Sequence, residues 1–142
     1  MSNSQEMLEA LDQQDLTSAD YYFQKALVED SDDLLLELAY YLEGIGFYPQ
    51  ARQIYEKLAP VFPEVNLNLA TIASISSEDG QIEEAFAYLE EIQPNSDSYV
   101  SALVLKADFY QMEGLTDVAR EKLLEALHYS DDPLLIFGLA EL

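Results

Sequence analysis

Apolar residues along this chain recur at intervals of three and four, in short runs punctuated by glycine or proline. Between Leu34 and Leu42, the positions Leu35, Leu38, Ala39 and Leu42 make one continuous stripe, which predicts an amphipathic helix. Gly44 and Gly46 end it, because glycine takes the left-handed conformation at a helix stop at little steric cost. A second helix is predicted from about Pro49 through Ala51, Ile54, Tyr55 and Leu58, with Pro49 in a first turn where its missing N–H is not needed. Pro60 and Pro63 break it. The scheme returns with Leu69, Ile72 and Ala73, an Asp79-Gly80 turn, then Ile82, Ala85, Leu89 and Ile92 before Pro94. It returns again with Leu103, Ala107 and Tyr110, then Gly114, then Val118, Ala119, Leu123, Ala126 and Leu127, closed at Asp131-Asp132-Pro133. At the start, Met7, Leu8 and Leu11 predict an opening helix and Leu16, Ala19, Phe23, Ala26 and Leu27 its partner. No segment keeps the two-residue alternation of a strand between turn signals, so the fold class is all-α.

The runs are in phase. Ala51, Ala85 and Ala119 are equally spaced, and each stands five residues after a glycine: Gly46, Gly80 and Gly114. Ala19 precedes Ala51 by nearly the same interval, without its glycine. A period in the range of about 20–50 residues marks a solenoid, here of helix pairs, in which each unit buries its apolar face only by stacking on its neighbours. One repeat domain over 1–142 is expected, with units at about 1–31, 32–64, 65–98 and 99–132. The small residues have a mechanical reason: where two helices cross at about 8–10 Å, alanine lets the axes approach while larger side chains fill the spaces beside it. Residues 133–142 read as the opening helix of a fifth unit, since Ser130-Asp131-Asp132-Pro133-Leu134-Leu135-Ile136-Phe137 echoes Ser31-Asp32-Asp33-Leu34-Leu35-Leu36-Glu37. Two explanations stand: a longer array of which this is the N-terminal part, or an apolar end covered by another chain. Leu135, Phe137 and Leu139 are the residues of a self-association end, through which a homodimer can form.

These positions resemble the tetratricopeptide-repeat family, helix–turn–helix at about 34 residues per copy, the interval that separates those alanines. The second unit matches its pattern through Ala39, Gly46, Tyr48, Ala51, Tyr55 and Pro63, with Leu42 and Leu58 as substitutes. The fourth matches through Ala107, Tyr110, Gly114, Ala119, Ala126 and Leu127, and the third through Ala73, Gly80 and Ala85, with Ser76 where an aromatic is usual. The first shows only its second helix clearly. The resemblance runs from about Gln5 to the C-terminus. It implies a right-handed superhelix of antiparallel helix pairs, about four units plus a C-terminal extra helix, whose concave wall is lined by the first helix of each pair and holds an extended peptide or a partner helix. By repeat phase, the inward positions are Leu36, Tyr40 and Glu43, then Ala70, Ser74 and Ser77, then Val104, Asp108 and Gln111. Some members clamp a C-terminal carboxylate with lysine and asparagine on that wall; here it offers no such cations. Tyr40, beside Leu36, is placed to anchor a ligand, as tyrosine does at binding hot spots, or else to pack against the neighbouring unit.

Charge narrows the partner. The 142 residues hold 28 Asp and Glu against six Lys and Arg, a formal net charge of −22. The averaged field repels phosphate backbones and anionic lipid heads, so neither nucleic acid nor a membrane surface is the expected partner. An apolar and acidic wall suits a basic or amphipathic segment, with charge raising the on-rate and apolar anchors holding the complex. The competing reading is that the acids are a solvated surface that maintains solubility. Hydrophobic residues make up 49% of the chain, enough for a core. There is no cysteine, hence no disulfide, zinc–thiolate site or thiol nucleophile. The N-terminus has no basic flank or apolar run of secretory length, and a soluble, cytoplasmic protein is expected.

Candidate chemistry is sparse. Ser77-Glu78-Asp79-Gly80-Gln81-Ile82 resembles the middle of a calcium loop, but the first and twelfth positions hold Ile75 and Phe86 in place of an oxygen donor and a bidentate Glu, so a helix–helix turn is the better account. Glu29-Asp30-Ser31-Asp32-Asp33 reads as an inter-unit turn whose acids favour the next helix N-terminus. His128, the only histidine, lies near a helix end without a nucleophile motif. Glu83-Glu84 and Glu90-Glu91 are surface acids rather than a catalytic pair, which needs a cleft and separated pKa values. No phosphate loop or dinucleotide fingerprint is present. The expectation is a non-enzymatic interaction scaffold with no cofactor or metal; the alternative is an assembly module that works through its repeat ends.

Overall fold

In the computed structural model, which describes residues 1–75 and 81–142, every regular element is an α-helix and no strand occurs among the described residues. The chain divides into two units, Met1–Val61 and Phe62–Leu142. The first holds α1 (Asn3–Asp12), α2 (Leu16–Glu29), α3 (Asp32–Gly44) and α4 (Tyr48–Leu58). α1 pairs with α2 and α3 with α4, while α1 also lies against α3.

Local chemistry sets these boundaries. Ser2 and Gln5 form a reciprocal cap at α1, the Ser2 hydroxyl accepting from the Gln5 amide at 3.1 Å and the Ser2 amide donating to Gln5 Oε1 at 3.0 Å. Asp15 caps α2 by accepting from the Ser18 amide at 3.1 Å and its hydroxyl at 2.7 Å. These bonds hold the Asp15 carboxyl below its ordinary pKa. Ser31 caps α3, with Asp32 and Asp33 in its first turn, the arrangement expected of the acidic run there. Asp30 does something the sequence did not announce. It reaches back to the first turn of α1, accepting from the Ser4 amide at 2.8 Å, the Ser4 hydroxyl at 2.6 Å and the Asn3 side-chain amide at 3.1 Å. Burial opposes its charge, but the bonds from Ser4 and Asn3 outweigh it and lower its pKa.

The turn within each pair shows what replaces the glycine missing from the first copy. Gly46 and Gly114 take left-handed backbone with φ of 87° and 79°, and Gln14 occupies the same place with φ of 60°. The amide of the residue after each reaches back five residues: Asp15 to Ala10, Phe47 to Leu42 and Leu115 to Tyr110, all at 2.9 Å. The first unit therefore keeps the turn and carries it on a residue that bears a conformational penalty for it. Gly80, the third member of the series, lies outside the described residues.

The second unit holds α5 (Val65–Ile75), α6 (Gln81–Glu90), α7 (Tyr99–Met112), α8 (Thr116–Leu127) and α9 (Pro133–Glu141). α5 pairs with α6 and α7 with α8; α7 also lies against α5 and α6, and α9 packs on α8. Its core includes two clusters besides the buried Val65, Leu69 and Ile72. Ala70, Ala73, Ala85, Leu89, Ile92, Ala102 and Phe109 form one, and Leu103, Ala107, Ala119, Leu123, Ala126 and Leu135 the other. Ala19, Ala51, Ala85 and Ala119 are all buried at their helix crossings, as the repeat phase requires. α9 is capped at a different place from α3: Asp132, not Ser130, is the cap, accepting from the Leu134 amide at 3.0 Å, and Pro133 fills the first turn.

Candidate functional site

A concavity lies within the second unit, between α7 and α9. It is a cleft of about 590 Å³. Val100, Val104, Leu105 and Ala107 of α7 make one apolar wall, Leu134, Leu135, Gly138 and Leu142 the other, and Leu123 of α8 closes the floor. Ser101, Asp108 and Gln111 of α7, with Asp132 and Glu141 at the two ends of α9, supply the polar groups. Three of the lining residues are carboxylates and none is a cation. The one lysine on α7, Lys106, is buried and turned toward α6, where its Nζ lies 2.9 Å from Glu90 Oε1. Asp108 is exposed, and the partial desolvation it meets beside the apolar walls raises its carboxyl above its ordinary pKa. A carboxylate in that setting gains most when a positive charge is brought to it.

Not every residue placed by repeat phase faces this way. Val104, Asp108 and Gln111 meet in the cleft. Ala70 does not face a groove: it is fully buried in the cluster with Ala73, Ala85 and Leu89, because a side chain of one carbon at that crossing lets the helices close over it. Ser74 is half-buried, with its hydroxyl donating to the Thr71 carbonyl at 2.7 Å, and Ser77 lies outside the described residues. In the first unit, Leu36 is half-buried and Tyr40 exposed, the Tyr40 ring standing 6.1 Å from that of Tyr55. Glu43 accepts a 2.7 Å hydrogen bond from the buried Tyr55 hydroxyl, and burial first, then this bond, raises the Tyr55 pKa. Leu135 is likewise no part of an outward self-association face. It turns into the core against Leu123 and Ala126 because the helical period of α9 points positions 135, 139 and 142 inward together.

Sequence reading leaves the α9 wall of the cleft unassigned. A signal is available: Gly138 and Leu142 lie one repeat period beyond Val104 and Asp108, so the same phase carried into the last ten residues finds both. A second, shallower hollow of about 570 Å³ sits in the first unit at the turns, lined by Leu11, Gln14, Leu16, Tyr41, Ile45 and Phe47 among others. Among the described residues, no cluster of three or more His, Asp or Glu is arranged to hold a metal, and no helix is long and apolar enough to cross a membrane. His128 is exposed and closes α8 as its C-terminal cap.

No family model matches the sequence. The TPR repeat-containing protein YpiA of Bacillus subtilis is 31% identical over 116 residues, which cover 81% of this chain. The chain spans 27% of the length of that relative. A crystal structure of a thermophilic TPR protein from Thermus thermophilus superposes with a TM-score of 0.64, over 98% of this chain and 78% of its own, at 21% identity. The chain belongs to the tetratricopeptide-repeat family. Its helix pairs thus share that fold, with α7 and α9 bounding the cleft.

Proposed function

We propose that this tetratricopeptide-repeat chain is a non-enzymatic protein-binding module, and that the α7–α9 cleft holds a basic or amphipathic segment of a partner protein. The observation that carries the reading is the lining itself. Apolar walls from Val100, Val104, Leu134 and Leu142 receive one face of such a segment, while Asp108, Asp132 and Glu141 meet its cations. The wholly acidic rim and the lysine withdrawn toward Glu90 disfavour a carboxylate or phosphate ligand. Asp108 adds selectivity, because an uncharged occupant lying over it would strip water from its carboxylate without compensation.

A fluorescein-labelled helical peptide with leucines on one face and lysines on the other tests it by anisotropy. Binding should weaken as salt is raised. Asp108→Lys should weaken it about tenfold or more, as expected for reversing a charge at a desolvated contact. Val104→Asp should weaken it with the helix content unchanged. Equal affinity of the parent and Asp108→Lys for the peptide would reject the cleft as the site.

A further inference from the structure

We infer that the hollow at the turns of the first unit is a docking site in its own right: it takes a segment of a partner protein that carries one large apolar side chain beside a lysine or arginine, and Gln14 meets that segment's backbone. The hollow lies between two whole helix pairs, α1–α2 and α3–α4. Leu16, Tyr41 and Ile45 line it and remain 63%, 50% and 44% exposed. A smaller chamber of about 130 Å³ continues it to the buried Met7, Ala19 and Phe23, and the two share Leu11, Leu16 and Phe47 as walls. An apolar cavity of about 150 Å³ holds benzene, so the inner chamber has the size for one phenylalanine ring or leucine.

Gln14 supplies an independent argument. It lines the hollow in left-handed backbone with φ of 60°, where Gly46 and Gly114 hold the equivalent turns without the penalty of a Cβ. Nothing in the packing repays that penalty: Gln14 is exposed, and its carboxamide forms no hydrogen bond with another described residue. A backbone outlier kept without structural return points to a function at that place. What glutamine adds over glycine is a carboxamide with donors and an acceptor, and these match the C=O and N–H of a peptide backbone.

Charge decides the rest of the occupant. Asp12 lines the hollow and Asp20 the inner chamber, and no lysine or arginine lines either. Among the described residues, neither carboxylate is paired with a cation. A phosphate-bearing ligand is repelled, and a purely apolar one would strip water from these acids without compensation. A second copy of these 142 residues is a poor source of positive charge. Each of its six Lys and Arg is already held within its own chain, four by carboxylates, Lys57 by the Leu27 carbonyl and Lys25 over the Tyr21 ring. The cation therefore comes from another protein.

Amide NMR shifts of the whole chain, titrated with an acetylated and amidated hexapeptide of one phenylalanine among lysines, test the inference. The peptide is too short to be a stable helix. Shifts at Leu11, Leu16 and Ile45 that fade as salt is raised are expected. Gln14→Gly should bind about two- to tenfold more weakly, the range of one net hydrogen bond, while it unfolds at higher urea than the parent. A merely structural Gln14 would not separate the two readouts. Tyr41→Ser, at an exposed position, should weaken binding about tenfold, as for an aromatic anchor, with circular dichroism unchanged. Equal binding by the parent and Gln14→Gly overturns the inference, and so does the absence of shifts at the hollow. Shifts confined to Val104, Asp108 and Leu142 place the peptide in the α7–α9 cleft, which overturns this site alone and leaves the cleft reading standing.

Discussion

Replacing Gln14 by glycine should make the protein more stable, and replacing Gly46 or Gly114 by alanine should make it less so, for one shared reason. The three residues hold equivalent left-handed turns with φ of 60°, 87° and 79°. A Cβ added at Gly46 or Gly114 meets no atom within 4 Å, so no packing changes and the whole penalty is conformational. That penalty is about 1–2 kcal/mol for an L-residue in left-handed backbone. Alanine also narrows the unfolded ensemble, which offsets about 0.4–1 kcal/mol, and a net loss of about 1 kcal/mol remains. Gln14→Gly reverses the balance. It removes the same strain, costs about 0.5–1 kcal/mol in added chain entropy, and gives up few contacts because Gln14 is exposed. A net gain of about 0.5–1 kcal/mol follows. Urea unfolding followed by circular dichroism should show the midpoint rising for Gln14→Gly and falling for both alanine variants, with an unchanged slope. Thermal midpoints should move by about 2–4 °C. Gly114→Asn should lose less than Gly114→Ala, since asparagine tolerates this region better. A Gln14→Gly protein no more stable than the parent, or alanine variants equal to it, would refute the equivalence of the turns.

Ala119→Leu should cost about 1–3 kcal/mol by overpacking a buried crossing; an unchanged thermal midpoint would show that the α7–α8 contact can open there without loss. Asp30→Ala should cost about 1–2 kcal/mol, because it leaves the first-turn Ser4 amide of α1 and the buried Ser4 hydroxyl without their acceptor. The Asp30 pKa is lowered in the folded chain, so its stabilisation is present above the unfolded value of about 3.9 and is lost as pH falls through the folded one. Acid unfolding of Asp30→Ala should accordingly lack that contribution. Tyr55 behaves in the opposite sense. Its raised pKa means that its contribution is complete below about pH 10 and is lost as the pH rises further. Alkaline melts of Tyr55→Phe should therefore fall less steeply than those of the parent, and parallel curves would show that the buried hydroxyl does not govern the alkaline limb.

The helical pairs were legible because periodicity and punctuation agreed. Every stripe of three-and-four spacing closed by glycine or proline became a helix, and the equally spaced alanines are buried at the crossings. What the chain concealed was conformational or long-range. Nothing in Gln14 advertises left-handed backbone, since its residue type is indifferent to the turn and only the bond from Asp15 to Ala10 exposes it. Asp30 read as one acid in a run, but its partners lie 26 and 27 residues away. The groove was half legible for a different reason. Phase assigns a helix position, while exposure depends on how closely neighbouring helices approach, so Val104 opens onto the cleft and its counterpart Ala70 is sealed in the core.

Of the nine residues of α9 only Leu135 is buried, yet they supply one wall of the cleft. A helix held by so few buried side chains opens at low cost relative to the global fold. An occupant of the cleft can bind only while α9 is docked on α8, because Leu134, Gly138 and Leu142 otherwise leave the site. By linkage, such an occupant stabilises docked α9 in proportion to its own saturation.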